Sequence, residues 1–399
     1  MKWFRIDSFP EAWRPVYRLS RLLSFTTMTY NFRDQTASRT STDQTLLVVG
    51  VLIGVVGLYY TFTFYHGRIF TITNSHIISA GRFMVLVIVI TMHVATMIFN
   101  YWNGVEIAQF PRTIQNIDRQ ISTLFKHSWN YQAEHLRSII FIVIGFTEWF
   151  VTIHIMKYTS YPFETAEFID GLFMTTTFNW VNFGCQSNTV SWLVTLATIR
   201  KRLFVLNHHM RASLLDDSTS QKDPHHLRKL ILRIGVLHSQ LSDTIDCFNS
   251  CHSTTVMFSF APAFMFTVFS WFGLVHAYAA NVEESLVPNA WATVTLSLNY
   301  ISLMFYDVLF SVLVNDQVKQ TAVIVHKCIG YRPYHRDVCC LLRKFSQQLW
   351  HHSPVISCGL FNFNWELIFT MIASLSTYVV ILVQFDLVNY TQSASSTKH

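Results

Sequence analysis

Residues 365–385 read WELIFTMIASLSTYVVILVQF, and Glu366 is the only Asp, Glu, Lys or Arg among them. At about 1.5 Å per residue, a helix of this length spans about 31 Å, close to the thickness of the bilayer's hydrocarbon core. Because unpaired backbone groups are costly in lipid, the stretch is predicted to cross as an α-helix. The sequence predicts an all-α polytopic membrane protein with seven transmembrane helices, near 44–65, 82–102, 138–158, 168–198, 255–278, 288–314 and 365–385.

Composition supports this fold class. Of the 399 residues, 51% are hydrophobic, 15% aromatic and only 13% charged, about half the usual charged fraction. These values exclude a soluble enzyme, a disordered tail and a small disulfide-stapled secreted domain. The fourth span is the weakest prediction, because Asn179, Trp180, Asn182 and Gln186 dilute its apolar character.

Orientation follows from the positions of Lys and Arg, which are retained on the cytoplasmic side of short loops. If the N-terminus is cytoplasmic, 25 of the 29 basic residues lie inside. We therefore predict a cytoplasmic N-terminus and an extracellular C-terminus. This orientation excludes a G-protein-coupled receptor, and it explains the net charge of +6 without a nucleic-acid partner.

The segments predicted to be internal are long and helical in pattern. Apolar residues recur at three- and four-residue steps over 227–248 and 338–349, so spans five, six and seven are expected to extend below the membrane and pack there. The predicted regions are a cytosolic N-terminus (1–43), a six-helix ligand-sensing region (44–314) with cytosolic loops 103–137 and 199–254, cytosolic anchor helices (315–364), a pore-lining seventh helix (365–385) and an extracellular tail (386–399).

Polar and aromatic residues in the outer halves of spans two to six suit a small organic ligand, since apolar walls supply affinity and sparse polar groups fix orientation. Interfacial belts and helix packing explain the same residues equally simply. Glu148, His154 and Asp307 lie deeper and need either a structural hydrogen bond or a water-filled cavity. The ligand-binding candidates are Trp149, Thr152, Phe173, Thr176, Asn179, Trp180, Trp271, Trp291, Asn299 and Tyr300.

No catalytic residues, metal site or cofactor are predicted. Histidines and cysteines cluster over 326–352, but their spacing matches no paired zinc pattern. Gly-rich phosphate loops and nucleophile elbows are absent from the sequence. A seven-span zinc hydrolase is disfavoured because the seventh span has no histidine, and a transporter is disfavoured because no duplication is visible.

The last span ends in Thr377 and Tyr378, five apolar residues, then Gln384 and Phe385. This resembles the TYhhhhhQF signature of the insect gustatory receptor family, and the approach CGLFNFNWELIFTMIASLS (358–376) is also similar. The resemblance is specific over 358–385 and architectural elsewhere. It implies a ligand-gated cation channel of the insect chemoreceptor superfamily, a tetramer whose seventh spans line a central pore and whose cytosolic helices form an anchor.

Helical spacing agrees with that implication, because Thr377, Ile381 and Gln384 share one helix face. We expect Ile381 to form part of a dewetting gate and Gln384 to contact cations, with Phe385 beside them; Gln384 bonding a neighbouring helix is the simpler alternative. Asn389 begins the only N-glycosylation motif and lies close to the membrane.

The expected partners are a small-molecule tastant, permeating cations, the lipid bilayer and other gustatory receptors in a homo- or heterotetramer, without a G protein. The expected location is the plasma membrane of gustatory neurons, in their dendrites. Val379 stands where sugar receptors often carry an acidic residue, so bitter compounds, pheromones and sugars all stay open. An obligate co-receptor subunit, a transporter and a receptor without channel activity are the alternatives.

Overall fold

The computed structural model describes residues 6–23, 26, 28–65, 76–159, 168–215, 223–279, 287–331 and 334–396. A short antiparallel hairpin of β1 (Thr29–Asn31) and β2 (Thr36–Ser38) follows the first helix, and a π-helical turn (Thr61–Tyr65) follows the second. The helices are α1 (Phe9–Leu22), α2 (Ser41–Tyr60), α3 (His76–Trp102), α4 (Gly104–Phe125), α5 (Tyr131–Thr159), α6 (Phe168–Leu214), α7 (Pro224–Ala279), α8 (Val287–Tyr331), α9 (Arg336–His351) and α10 (Trp365–Ser396).

The predicted all-α membrane fold is confirmed. Six of the described helices are long and apolar enough to cross a membrane: α2, α3, α5, α7, α8 and α10. The fourth predicted span lies in α6, which is long enough but too polar to meet the same criterion. Its polar side chains point into the bundle, where Asn182 and Gln186 are buried and bond to residues of α8.

Three helices continue far beyond the bilayer's thickness. α6, α7 and α8 have 47, 56 and 45 residues, whereas about 20 residues cross a hydrocarbon core. The predicted stripe over 227–248 is buried along α7, and Val338, Leu342 and Phe345 of α9 complete the same core. The expectation was wrong for the seventh span, because α10 begins only at Trp365 and 352–364 is not helical.

The N-terminal segment forms an amphipathic helix that hydropathy did not reveal. α1 buries Phe9, Trp13 and Tyr17, and Pro10 occupies its first turn, where no backbone N–H is required. The Tyr17 hydroxyl donates to the carbonyl of Met28 at 2.9 Å and accepts from the backbone N–H of Tyr30 at 2.9 Å. These bonds fix the hairpin against α1.

Glycines set the packing of the first span. α2 buries Gly50, Gly54 and Gly57, while its larger apolar residues are exposed or half-buried. A Cβ at Gly54 would clash with the side chain of Val94 on α3. The two helices therefore approach closely through a small-residue face, a common solution where lipid already solvates the apolar side chains.

A buried ion cluster joins α4, α5 and α6. The Arg202 guanidinium donates to both carboxylate oxygens of Asp118, at 3.0 and 2.7 Å, and to Glu134 Oε2 at 2.8 Å. Lys201 also donates to Glu134, at 2.7 Å. Burial raises the pKa of Asp118 against the opposing effect of Arg202, whereas for Glu134 the two cations overcome burial and lower the pKa.

Acid is expected to destabilise the packing of α7 against α9 by protonating His238. This ring is buried beside Phe345, and burial, with a smaller contribution from His352, lowers its pKa to about 4. An unfolded histidine has a pKa of about 6.5, so between about pH 6.5 and 4 only the unfolded chain binds this proton. The stabilisation is complete above that window and is lost as the pH falls, by up to about 1.4 kcal/mol per pH unit.

His238→Phe removes this titration and should therefore flatten the fall of the unfolding temperature from about pH 7 to about pH 5. Thermal unfolding of the purified protein measures the slope. His226→Phe changes an exposed ring on the same helix and should keep the wild-type slope. Equal slopes in wild type and His238→Phe would contradict the assignment.

Candidate functional site

The last helix is the least covered of the candidate spans. No residue of its apolar stretch, Trp365–Asp386, is buried in the protomer. In the other candidate spans, 22% to 50% of the residues in the most apolar part are buried. α10 contacts α7 and α8 along one side, where the Tyr378 ring meets Phe264 at 6.3 Å. Most of its surface faces away from the chain's own helices.

The predicted face of α10 lies on this uncovered surface. Thr377, Ile381 and Gln384 are all exposed, and Phe385 beside them is 62% exposed. The Thr377 hydroxyl donates to the carbonyl of Ala373 at 2.9 Å, which satisfies it within its own helix. The structure therefore brings Thr377, Ile381 and Gln384 together on one surface, while their role in a pore stays a prediction.

One polar contact ties α10 to α7 next to this face. His276 Nδ1 forms a short contact with Oδ2 of Asp386, the residue that follows Phe385. His276 lies near the end of α7 that is predicted to be external. This contact therefore joins the end of α7 to the end of α10 that carries Gln384.

Four ligand-binding candidates are buried by helix packing. Gln186 Nε2 donates to Asn299 Oδ1 at 3.1 Å, and the Tyr300 hydroxyl donates to Asn182 Oδ1. The Trp149 ring lies 6.2 Å from that of Phe183. Thr152 donates to the Glu148 carbonyl of its own helix at 2.9 Å. Packing and hydrogen bonding within the bundle of α5, α6 and α8 therefore bury Trp149, Thr152, Asn299 and Tyr300, while a role of these residues in ligand binding stays a prediction.

The other candidates are spread over the bundle. Trp180 is half-buried and meets the His93 ring edge-on at 4.3 Å, while Asn179 beside it is also half-buried. Trp291 is exposed and donates to the Tyr278 hydroxyl at 3.0 Å; Trp271 is half-buried. The side chains of Phe173, Thr176 and Asn389 lie outside the described part of the structure.

Two of the deep ionisable residues have defined surroundings. Glu148 accepts a short hydrogen bond from the Ser302 hydroxyl, so α5 and α8 share a polar contact within the membrane region. The Asp307 side chain is buried, and its backbone carbonyl accepts from Trp192 Nε1 at 3.3 Å. For Glu148 this supports the structural hydrogen bond that sequence reasoning left open.

A small cavity of about 20 Å³ lies between α3, α6, α7 and α8. That volume holds about one water molecule, so an organic ligand requires the helices to move apart. Among the ligand-binding candidates with described side chains, Tyr300 alone lines it. The other lining residues were not among the ligand-binding candidates, because small, apolar and lone polar residues do not stand out within a predicted span: Val89, Met92, His93, Thr96, Cys185, Asn188, Phe258, Ser259, Pro262 and Ala263.

Known proteins resemble this chain in sequence profile and in fold. The sequence profile described as "7tm Chemosensory receptor" matches residues 13–389, while no curated protein sequence matches the chain significantly. The chain is similar to the insect olfactory receptor OR5 from Machilis hrabei, with a TM-score of 0.65 and 12% identity over 95% of this chain and 100% of that one. The same receptor in complex with eugenol gives a TM-score of 0.64, 13% identity and the same coverage.

These matches confirm the superfamily that the last span indicated. The profile covers nearly the whole chain, well beyond the 358–385 stretch on which the resemblance was specific. At 12–13% identity, the structural likeness to OR5 establishes the fold. This protein is a multi-pass membrane protein that belongs to the 7tm chemosensory receptor family.

Proposed function

We propose that this protein is a ligand-gated cation channel that detects a small-molecule tastant. The observation that carries the proposal is the bare last helix: an apolar span, with none of its residues buried, that presents Thr377 and Gln384 on its open surface. A lipid-facing Gln side chain leaves amide groups without partners in hydrocarbon, which is costly. Four copies of α10 around an axis would instead place this face in a water-filled path.

The chemistry of the face suits weak cation selectivity. A ring of Gln384 carbonyl dipoles coordinates a cation without a full negative charge, so the ion can leave again. A ring of Ile381, about one turn away along the helix, can close the path by dewetting. Phe385, next to Gln384, is placed to pack between protomers at the same level.

The small cavity is the proposed ligand site. It is lined by α7 and α8, the helices that contact α10, and by the aromatic side chains of Tyr300, His93 and Phe258. A ligand that enlarges the cavity must displace these helices, and the His276–Asp386 contact passes the displacement to the pore end of α10. The complex of OR5 with eugenol supports a ligand of this class, a small aromatic compound.

Assembly with other gustatory receptors is part of the proposal, in the plasma membrane of gustatory neurons and without a G protein. The main rival is an obligate co-receptor subunit, which supplies a pore helix but binds no tastant by itself. An olfactory receptor of the same superfamily is the other reading. Because the family consists of receptors, no enzymatic role is proposed.

Tastant-evoked cation currents are expected in cells that express this chain, alone or with candidate co-receptors. Ser259 is half-buried and lines the small cavity, so Ser259→Leu should occupy the ligand space and reduce the current evoked by a subsaturating ligand about tenfold, as a loss of roughly 1.4 kcal/mol in binding would. Whole-cell recording with a panel of sugars, bitter compounds and volatile aromatics measures this.

Ser253→Leu is the matched control, since it makes the same exchange on α7 at a half-buried residue that does not line the cavity. Its current should equal that of wild type at equal surface expression. If Ser259→Leu leaves every evoked current intact, the cavity is not the ligand site. Currents that appear only with a partner subunit, and are insensitive to Ser259→Leu, identify the co-receptor role instead.

A further inference from the structure

A second, larger cavity of about 410 Å³ opens between α1, α4, α6 and α7, at the end of the bundle predicted to be cytosolic. Its charged lining residues among those described are Glu106 and Asp243, and neither Lys nor Arg lines it. This is unusual for a side that carries 25 of the chain's 29 basic residues. The charge of the cavity therefore favours a cation.

Three possible metal ligands meet at its wall. Cys247 and Cys251 lie one helical turn apart on α7, and Glu106 reaches them from the first turn of α4. The Cys251 thiol donates to Glu106 Oε2 at 3.4 Å, and one donor atom from each of the three residues lies within 4.8 Å of the others. Cys251 is buried, whereas Cys247 and Glu106 are accessible from the cavity.

We propose that Glu106, Cys247 and Cys251 form a Zn²⁺ site that joins α4 to α7. Zinc bonds of about 2.3 Å to sulfur and about 2.0–2.2 Å to a carboxylate place tetrahedral ligands roughly 3.5–3.8 Å apart. The observed separations need only small side-chain rotations to reach this geometry. Water completes the fourth position on the cavity side.

The ligand set selects among cations. Two thiolates and one carboxylate suit Zn²⁺ or another soft ion, whereas Mg²⁺ and Ca²⁺ prefer oxygen ligands alone. A cytosolic position keeps both thiols reduced and available. With three protein ligands and an open fourth position, the site resembles exchangeable rather than closed structural zinc sites.

Sequence spacing does not reveal this set of ligands. Glu106 is 141 residues from Cys247, so its ligand role appears only after folding. The metal clip holds α4 against α7, the helix that also lines the small cavity. Binding of the ion does not depend on the proposed channel function, so the two can be tested separately.

The test uses Co²⁺ as a spectroscopic probe on the purified full-length receptor, metal-depleted and kept reduced with a phosphine. One Co²⁺ per protomer should bind with a thiolate-to-cobalt charge-transfer absorption, and Zn²⁺ should displace it. Cys247→Ser should weaken binding about tenfold or more and reduce the band, and Cys247→Ser/Cys251→Ser should abolish it. Glu106→Gln should weaken binding by about tenfold while the band persists, since both thiolates stay.

Cys339→Ser/Cys340→Ser is the matched control, because it removes two consecutive cysteines of α9 that do not line this cavity. It should leave the Co²⁺ affinity and the spectrum unchanged. Glu106→Gln and Cys247→Ser change exposed side chains, so both variants are expected to fold even if the double cysteine variant does not. A band that survives Cys247→Ser at full strength, or that disappears in the α9 control, overturns the proposal. So does an affinity unaffected by Glu106→Gln.

Discussion

Replacing Gln384 with Lys is expected to abolish cation current through the assembled receptor. In a four-fold pore the substitution places four ammonium groups around the path. At about 8 Å and an effective dielectric constant of about 20, each repels a monovalent cation by about 2 kcal/mol. Even after screening by salt, the combined barrier should reduce current by more than about a hundredfold, at about 1.4 kcal/mol per tenfold.

Gln384→Glu provides the matched control, because it has the same side-chain length and membrane depth but the opposite charge. It should preserve current and raise the permeability of divalent relative to monovalent cations, as acidic rings do in cation channels. Reversal potentials in bi-ionic solutions measure this ratio, with surface labelling to equalise expression. If Gln384→Lys conducts like wild type, Gln384 does not line the pore.

Replacing Arg202 with Met is expected to destabilise the protein by about 3–5 kcal/mol, because buried Asp118 would lose its ion pair and buried Glu134 would keep only the ion pair with Lys201. Arg202 has no exposed side-chain surface and stacks between the rings of Phe9 and Trp129, each 4.8 Å from its guanidinium carbon. Its loss therefore removes one of the contacts that α6 makes with α1, α4 and α5. Thermal unfolding and surface expression should both fall sharply.

The triple variant Arg202→Met/Asp118→Asn/Glu134→Gln separates charge from shape. Neutralising both carboxylates removes the uncompensated charge, so most of the lost stability should return. Arg211→Met, at an exposed position on the same helix, should unfold close to the wild-type temperature. If the triple variant is no more stable than Arg202→Met, the destabilisation comes from lost packing rather than from orphaned charge.

Hydropathy predicted the spans well because insertion into lipid depends on the local sum of side-chain transfer energies. The Arg202 cluster was invisible to the same reasoning: Asp118 lies 84 residues from Arg202 and Glu134 lies 68, and Arg202 counted only as one cytosolic charge. Long-range pairing of this kind is decided by how the helices pack.

The ligand-binding candidates show the same limit within the membrane. Trp149 and Tyr300 were chosen because aromatic and polar residues line ligand sites, and both also contribute to packing between helices. Amino-acid type does not distinguish the two uses. The face of α10 was predictable because helical spacing alone places Thr377, Ile381 and Gln384 together, and their exposure follows from the helix having few neighbours.

Because α7 is long, a small bend near one end moves its other end by several Å. Pro262 lies inside this helix at the wall of the small cavity, and a proline in a helix interior is a natural point of bending. From there to Pro224 the helix runs about 38 residues, or about 57 Å, so a bend of about 5° moves its far end by about 5 Å. Displacements smaller than a bond length at the cavity thus become movements the size of a side chain at the opposite end.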